Sequence, residues 1–154
     1  MALLKKASIE VLVDVRSSPY SKWAQFANRD CIECVLSAVG IRYIYMGDSL
    51  GGRTEHSNDN NESDRKPDYS LMQKTNAFKT GIIKLLDEIN KNRVCIMCAE
   101  EDPTSCHRNL LVAESLRCNK VIVSHIRGDG DIQTDDKLWK HNTGTPTEQY
   151  SFKL

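Results

Sequence analysis

The sequence predicts a single three-layer α/β domain with a mostly parallel sheet, its active rim at the C-terminal ends of the strands. Three observations predict it. Short β-branched runs alternate with stretches of helical periodicity, which is the pattern of parallel strands joined by helical crossovers. No internal repeat breaks that alternation. The polar residues that could do chemistry fall just after the strands, where open α/β sheets bind their ligands. With 154 residues the chain is long enough to bury a real core in one domain.

Glu10–Arg16 (EVLVDVR) reads as a buried strand that ends in charged residues. Ile32, Val35, Leu36 and Val39 then recur at helical spacing, with Asp30 as the expected N-cap and Gly40 as the stop. Ile41–Met46 is the next strand. Residues 47–68 are polar and punctuated, roughly 22 residues without periodicity, and read as a lid-like loop. Phe78, Ile82, Leu85, Leu86 and Ile89 mark one face of a long helix over Ser70–Lys91. Val94–Ala99 is a third strand, and Asp102 followed by Pro103 opens a helix that runs to Arg117. Val121–Ile126 reads as a fourth strand and Arg127–Asp131 as a tight turn. Thr134 can cap a last short helix through Trp139. The organisation is therefore an α/β domain over residues 1–132 and a short helix with a loose tail over 133–154.

Composition narrows the function. The 21 basic and 21 acidic side chains cancel, so no global excess of cations favours nucleic acid, although a local basic groove stays open. No apolar run approaches the 18 or so residues of a membrane span and no secretory leader is visible, so a cytoplasmic protein is expected, with no membrane partner. In that compartment the six cysteines are expected as thiols.

Two of them stand out. Cys98 ends the third strand, and Cys106, His107 and Arg108 follow in the first turn of the next helix, where the helix dipole and nearby cations favour thiolate. Glu100 lies between and can move a proton or hold an imidazole. A thiol nucleophile at Cys98 or Cys106 helped by His107 or Glu100, a reversible disulfide between the two cysteines, a Cys/His metal site, and plain packing all fit this spacing. No metal ligand set and no cofactor is assigned, because consecutive residues such as 106 and 107 rarely point at one ion. Cys31/Cys34 with Cys95/Cys98 is not read as a zinc site, since strand residues three apart face opposite ways; Cys31 and Cys34 are expected at the core edge. Asp14 and Arg16 share a strand face, as an ion pair or with Arg16 meeting an anion. Gly51, Gly52 and Arg53 allow close backbone approach and add a cation. Trp23 and Phe26 are expected to anchor the loop before the first long helix, and a single nucleic-acid strand stacking there is the rival reading.

VDVRSSPYS (13–21), GIRYIYMGDSLGG (40–52), FKTGIIKLL (78–86) and MCAEEDPTSCHR (97–108) resemble the domain of unknown function 488 family, with SHIRGDG (124–130) in the same order. The resemblance implies a bacterial-type cytoplasmic α/β protein of unassigned activity. It also implies shared polar positions at Asp14, Arg16, Pro19, Ser21, Gly51, Gly52, Cys98, Glu100, Cys106, His107 and Arg108. Against the family pattern, this chain is expected to lack the first strand. The function expected is a thiol-dependent enzyme for a small anionic or nucleotide-like substrate, with Cys98, Glu100, Cys106 and His107 in catalysis and Asp14, Arg16, Ser21, Gly51, Gly52, Arg53 and Arg108 binding the ligand. A non-catalytic nucleic-acid or nucleotide binder and a metal-binding protein are the alternatives.

Overall fold

Val11–Asp14 forms β1, the centre of a three-stranded parallel sheet, in the computed structural model, which describes residues 1–53 and 67–134. β2 (Arg42–Tyr45) and β3 (Val94–Met97) flank it, so that Val11 lies between Arg42 and Val94 and Asp14 between Tyr45 and Met97. Alternation along β1 splits the core in two. Val11, Val13 and Val15 pack with Phe78, Ile82 and Leu85 and with Leu111, Val112 and Leu116. Leu12 faces the other way, onto Leu36 and Ile41, with Leu4 behind them. Each fully buried leucine or valine contributes about 1.5–3 kcal/mol. Helices on both faces of a parallel sheet make the three layers that the sequence predicts.

The helices follow local chemistry. α1 (Ala2–Lys6) precedes β1, and α2 (Arg29–Ser37) leads towards β2. The N-cap of α2 is Asn28 and not Asp30; its Oδ1 accepts the Ser21 amide at 2.6 Å, which ties the preceding loop to the helix start. Gly40 takes a left-handed φ of +76°, and Ile41 then donates its amide to Leu36 O at 3.0 Å, closing α2 where the sequence places the stop. The long helix expected from Ser70 is two pieces. Asp68 caps α4 (Tyr69–Met72) and Thr75 caps α5 (Asn76–Lys91). The Thr75 hydroxyl donates to Met72 O at 2.8 Å and accepts the Phe78 amide at 3.2 Å, so a side chain takes over bonds that a continuous helix would make.

The fourth strand is elsewhere than expected. Only Ser124–Ile126 is extended, as β4, and it pairs antiparallel with β5 (Ile132–Thr134) in a separate hairpin. The predicted tight turn joins them: Gly130 donates to Arg127 O and Arg127 to Asp131 O, both at 2.9 Å. Thr134 thus belongs to a strand, the hairpin crosses the expected boundary at 132, and the helix expected beyond it lies outside the described residues. Of the expected lid, Gly47–Leu50 is a helical turn, α3, with Leu50 fully buried against the Val13 core; residues 54–66 lie outside the described residues.

Two side-chain expectations are overturned. Cys31 and Cys34 are exposed, on the outer side of α2, because Ile32 and Leu36 fill its inner face. Trp23 is 98 % and Phe26 82 % exposed, since Asn28 and Ser21 hold the loop through polar bonds and leave the rings in solvent.

Candidate functional site

The C-terminal end of β1 supplies the first half of the rim. Asp14 is fully buried. It accepts the Arg16 amide at 3.0 Å, Arg16 Nε at 2.9 Å, Arg16 Nη2 at 2.6 Å and the Tyr43 hydroxyl at 2.8 Å. The Arg16–Asp14 fork is the bidentate form of the pair, and it raises the guanidinium's affinity for its proton. Burial, and next the bond to Asp14, hold the Tyr43 hydroxyl well above its ordinary range. Of the two roles open to Arg16, the ion pair is the one its Nε and Nη2 perform. Tyr43 is a member that the sequence did not single out; its place next to Leu12 appears only once β2 pairs with β1.

The loop after β2 packs onto this end. A Cβ on Gly47 would collide with the Arg16 carbonyl, and one on Gly52 would sit 2.6 Å from Cγ and 2.8 Å from Cβ of His107. Gly52 is therefore the seat of the histidine ring. Arg53 donates its amide to Ser17 Oγ at 3.1 Å and leaves its side chain exposed. Ser21 Oγ accepts the amides of Trp23 and Ala24, both at 3.2 Å, which is loop capping.

The second half forms between β3 and the next helix. Cys98 follows β3 and Cys106 precedes a π-helical stretch, Arg108–Ala113, that continues into α6 (Glu114–Cys118). The helix begins later than Asp102–Pro103 predicts. Asp102 Oδ1 caps only a preliminary turn, accepting Thr104 N at 2.9 Å, and the Arg108 amide is taken by Cys106 Sγ at 3.3 Å. The two sulfurs are joined as a disulfide, the oxidised form of the pair that the spacing allows, with Cα atoms 7.7 Å apart. Glu100 Oε2 lies 2.8 Å from Cys98 Sγ and 3.4 Å from Cys106 Sγ. His107 Nε2 lies 2.9 Å from the Val15 carbonyl, which fixes the proton on that nitrogen. Burial pushes the ring's pKa below the ordinary histidine range, so it is neutral at pH 7. One donor atom from each of Cys98, Glu100, Cys106 and His107 falls within 4.8 Å of the others.

Arg108 departs from the expected cationic rim. Its amide serves Cys106, but Nη2 donates to Glu101 O at 3.3 Å, its Nε is buried without a partner, and the side chain lines an apolar cavity of about 640 Å³ beside Cys95. There burial lowers its affinity for a proton. Cys95 faces the Leu12 core and Cys98 the Val13 core, as strand alternation requires. Burial lifts the Cys95 thiol to about 11.

Fold and site together define an α/β domain with two cysteines, a carboxylate and an imidazole gathered at the C-terminal rim of a parallel sheet. The chain belongs to the family of the domain of unknown function DUF488, whose model matches residues 1–115. That span contains the rim and ends before the β4–β5 hairpin. No curated protein and no solved structure matches the chain. Among the described residues no helix is long and apolar enough to cross a membrane.

Proposed function

We propose that the protein is a thiol-dependent enzyme acting on a small anionic or nucleotide-like substrate, in the reducing cytoplasm where such thiols persist. The observation that carries this reading is one carboxylate oxygen, Glu100 Oε2, within reach of two sulfurs at 2.8 and 3.4 Å. Cys98 is half-buried and Cys106 1 % exposed, so Cys98 is the nucleophile. Cellular thiols first reduce the Cys98–Cys106 disulfide to two thiols, becoming a disulfide themselves; the Cys98 thiol proton then passes to Glu100 as the sulfur forms a bond to the electrophilic centre. The leaving group departs with its electron pair and takes that proton. Water then attacks the Cys98 adduct, yielding its proton through Glu100 to the sulfur. His107, with Nε2 committed to Val15 O, is a positioning residue for the helix start. Arg53, whose backbone amide is held by Ser17 Oγ, supplies an exposed cation for an anionic substrate.

An activated acyl ester such as p-nitrophenyl acetate tests the nucleophile. The metal-free, reduced protein should release one equivalent of p-nitrophenolate in a burst and carry the acyl group on Cys98. Cys98→Ser and Glu100→Gln should remove the burst, while Cys95→Ala keeps it. Exposure works against this outcome, because Cys31, Cys34 and Cys118 are the exposed thiols. Acylation confined to those three would overturn the reading. A second reading, binding of a single nucleic-acid strand, draws on the exposed rings of Trp23, Phe26 and Tyr20 next to Lys22. It requires an affinity for single strands that falls steeply with salt, and binding that Trp23→Ala leaves unchanged would exclude it.

A further inference from the structure

We infer that the same rim is a site for a soft divalent metal, zinc by its chemistry, held by Cys98, Cys106 and His107 with Glu100 as the fourth donor. The inference uses the residues of the thiol centre and does not depend on their reactivity.

Donor type is the first argument. Two sulfurs, one imidazole nitrogen and one carboxylate oxygen are a ligand set suited to zinc, which takes four such donors in a tetrahedron. Convergence is the second. The four donor atoms already lie within 4.8 Å of one another, and zinc bonds of about 2.0–2.3 Å put tetrahedral ligands roughly 3.3–3.8 Å apart. Reduction of the Cys98–Cys106 disulfide and rotation of the two side chains open the space for an ion.

Adjacency in sequence does not keep Cys106 and His107 apart. Cys106 and His107 can serve one ion because the chain changes conformation between them. Cys106 stands at the end of a turn, with its amide on Pro103 O at 3.4 Å, and His107 opens the helical stretch. The ring then lies over Gly52, whose missing side chain is what admits it. Its Nε2–H is spent on the Val15 carbonyl at 2.9 Å, the arrangement by which protein backbones orient a metal-binding imidazole and leave its other nitrogen free to coordinate. Binding would displace the two thiol protons into solvent, and Glu100 would exchange its bonds from those thiols for a bond to the ion.

Cobalt(II), a spectroscopic substitute for zinc, provides the test. Cys31 and Cys34 are exposed one helical turn apart and could trap the ion themselves, so the titration is run in Cys31→Ser/Cys34→Ser protein, reduced with a phosphine. The expected result is a near-ultraviolet thiolate-to-cobalt band with the strong visible absorption of a tetrahedral ion. It should saturate at one equivalent, with two protons released, and be displaced by zinc. Cys98→Ser should diminish the band, and His107→Gln should weaken binding about tenfold or more. Far-ultraviolet circular dichroism of each metal-free variant reports whether it is folded; Cys98 is the safer cysteine to change because it is only half-buried. A folded, reduced protein with no charge-transfer band overturns the inference, as does a band that survives both Cys98→Ser and His107→Gln. An acyl burst without the cobalt band leaves the thiol enzyme standing and removes the metal; the band without the burst does the reverse.

Discussion

Replacing Asp14 by alanine would take the carboxylate from beneath the rim and leave both of its partners behind. Asp14 is 0 % exposed, and the Arg16 side chain retains only 11 % exposure. Breaking a buried ion pair by removing one partner costs about 3–5 kcal/mol, because the surviving charge is stranded. Arg16 lies beyond the strand end and can turn its head towards water, which places the cost near the lower bound, about 3 kcal/mol. The Tyr43 hydroxyl, bonded to Asp14 at 2.8 Å, adds about 1 kcal/mol when it loses its acceptor. A loss of about 4 kcal/mol is a large share of the roughly 5–15 kcal/mol that stabilises a domain. Asp14→Asn keeps the shape and an acceptor for the Arg16 amide, so about half that loss is expected. Urea denaturation followed by circular dichroism measures both, through a fall in midpoint at constant slope. Asp14→Ala and Tyr43→Phe together should cost less than the sum of the two, since the tyrosine has no acceptor left to lose. A loss below about 1 kcal/mol for Asp14→Ala would refute the reasoning, because the pair would then be worth no more than a solvated one.

The remaining predictions concern packing at the rim and the exposed loop. Gly52→Ala should displace His107 and cost about 1–3 kcal/mol, and it should weaken cobalt binding without touching any donor atom; unchanged cobalt spectra would mean that the ring is not seated on Gly52. Gly47→Ala should cost more, because the atom in the way is the Arg16 carbonyl, a backbone group that cannot rotate aside; thermal unfolding of the two variants gives the order. Trp23→Ala should change stability by less than about 0.5 kcal/mol, as befits a ring at 98 % exposure, and a large drop in midpoint would show that the ring is packed.

The parts of this fold visible in the sequence are those set by local pattern. β1–β3 declare themselves as β-branched runs, α2 by its apolar spacing, and its end by Gly40. Cys98, Glu100, Cys106 and His107 were visible as a group because strand end and helix start bring them close in sequence. What sequence reading missed depends on partners far along the chain or on backbone detail. Val121–Ile126 is apolar enough for the parallel sheet, yet the turn at Arg127–Asp131 lets β5 capture its second half. The convergence of Cys106 and His107 on one space is invisible without knowing that the helix starts between them and not at Asp102. Trp23 and Phe26 show the opposite failure: their apolar character suggests anchoring, but Ser21 and Asn28 do that work with polar bonds.

The bond from His107 to Val15 O spans 92 residues of sequence, and it has a consequence for the order of events during synthesis. Cys98 and Cys106 are separated by 8 positions, so they can meet as soon as that segment leaves the ribosome. The imidazole can be locked only after β1 and β3 have paired, a non-local step that is slow by comparison. In the interval the two thiols are neighbours without their histidine. Cys106, 1 % exposed once the chain is folded, is open to reagents in that interval, so reductant present during refolding should matter more to the final yield of competent protein than reductant added afterwards.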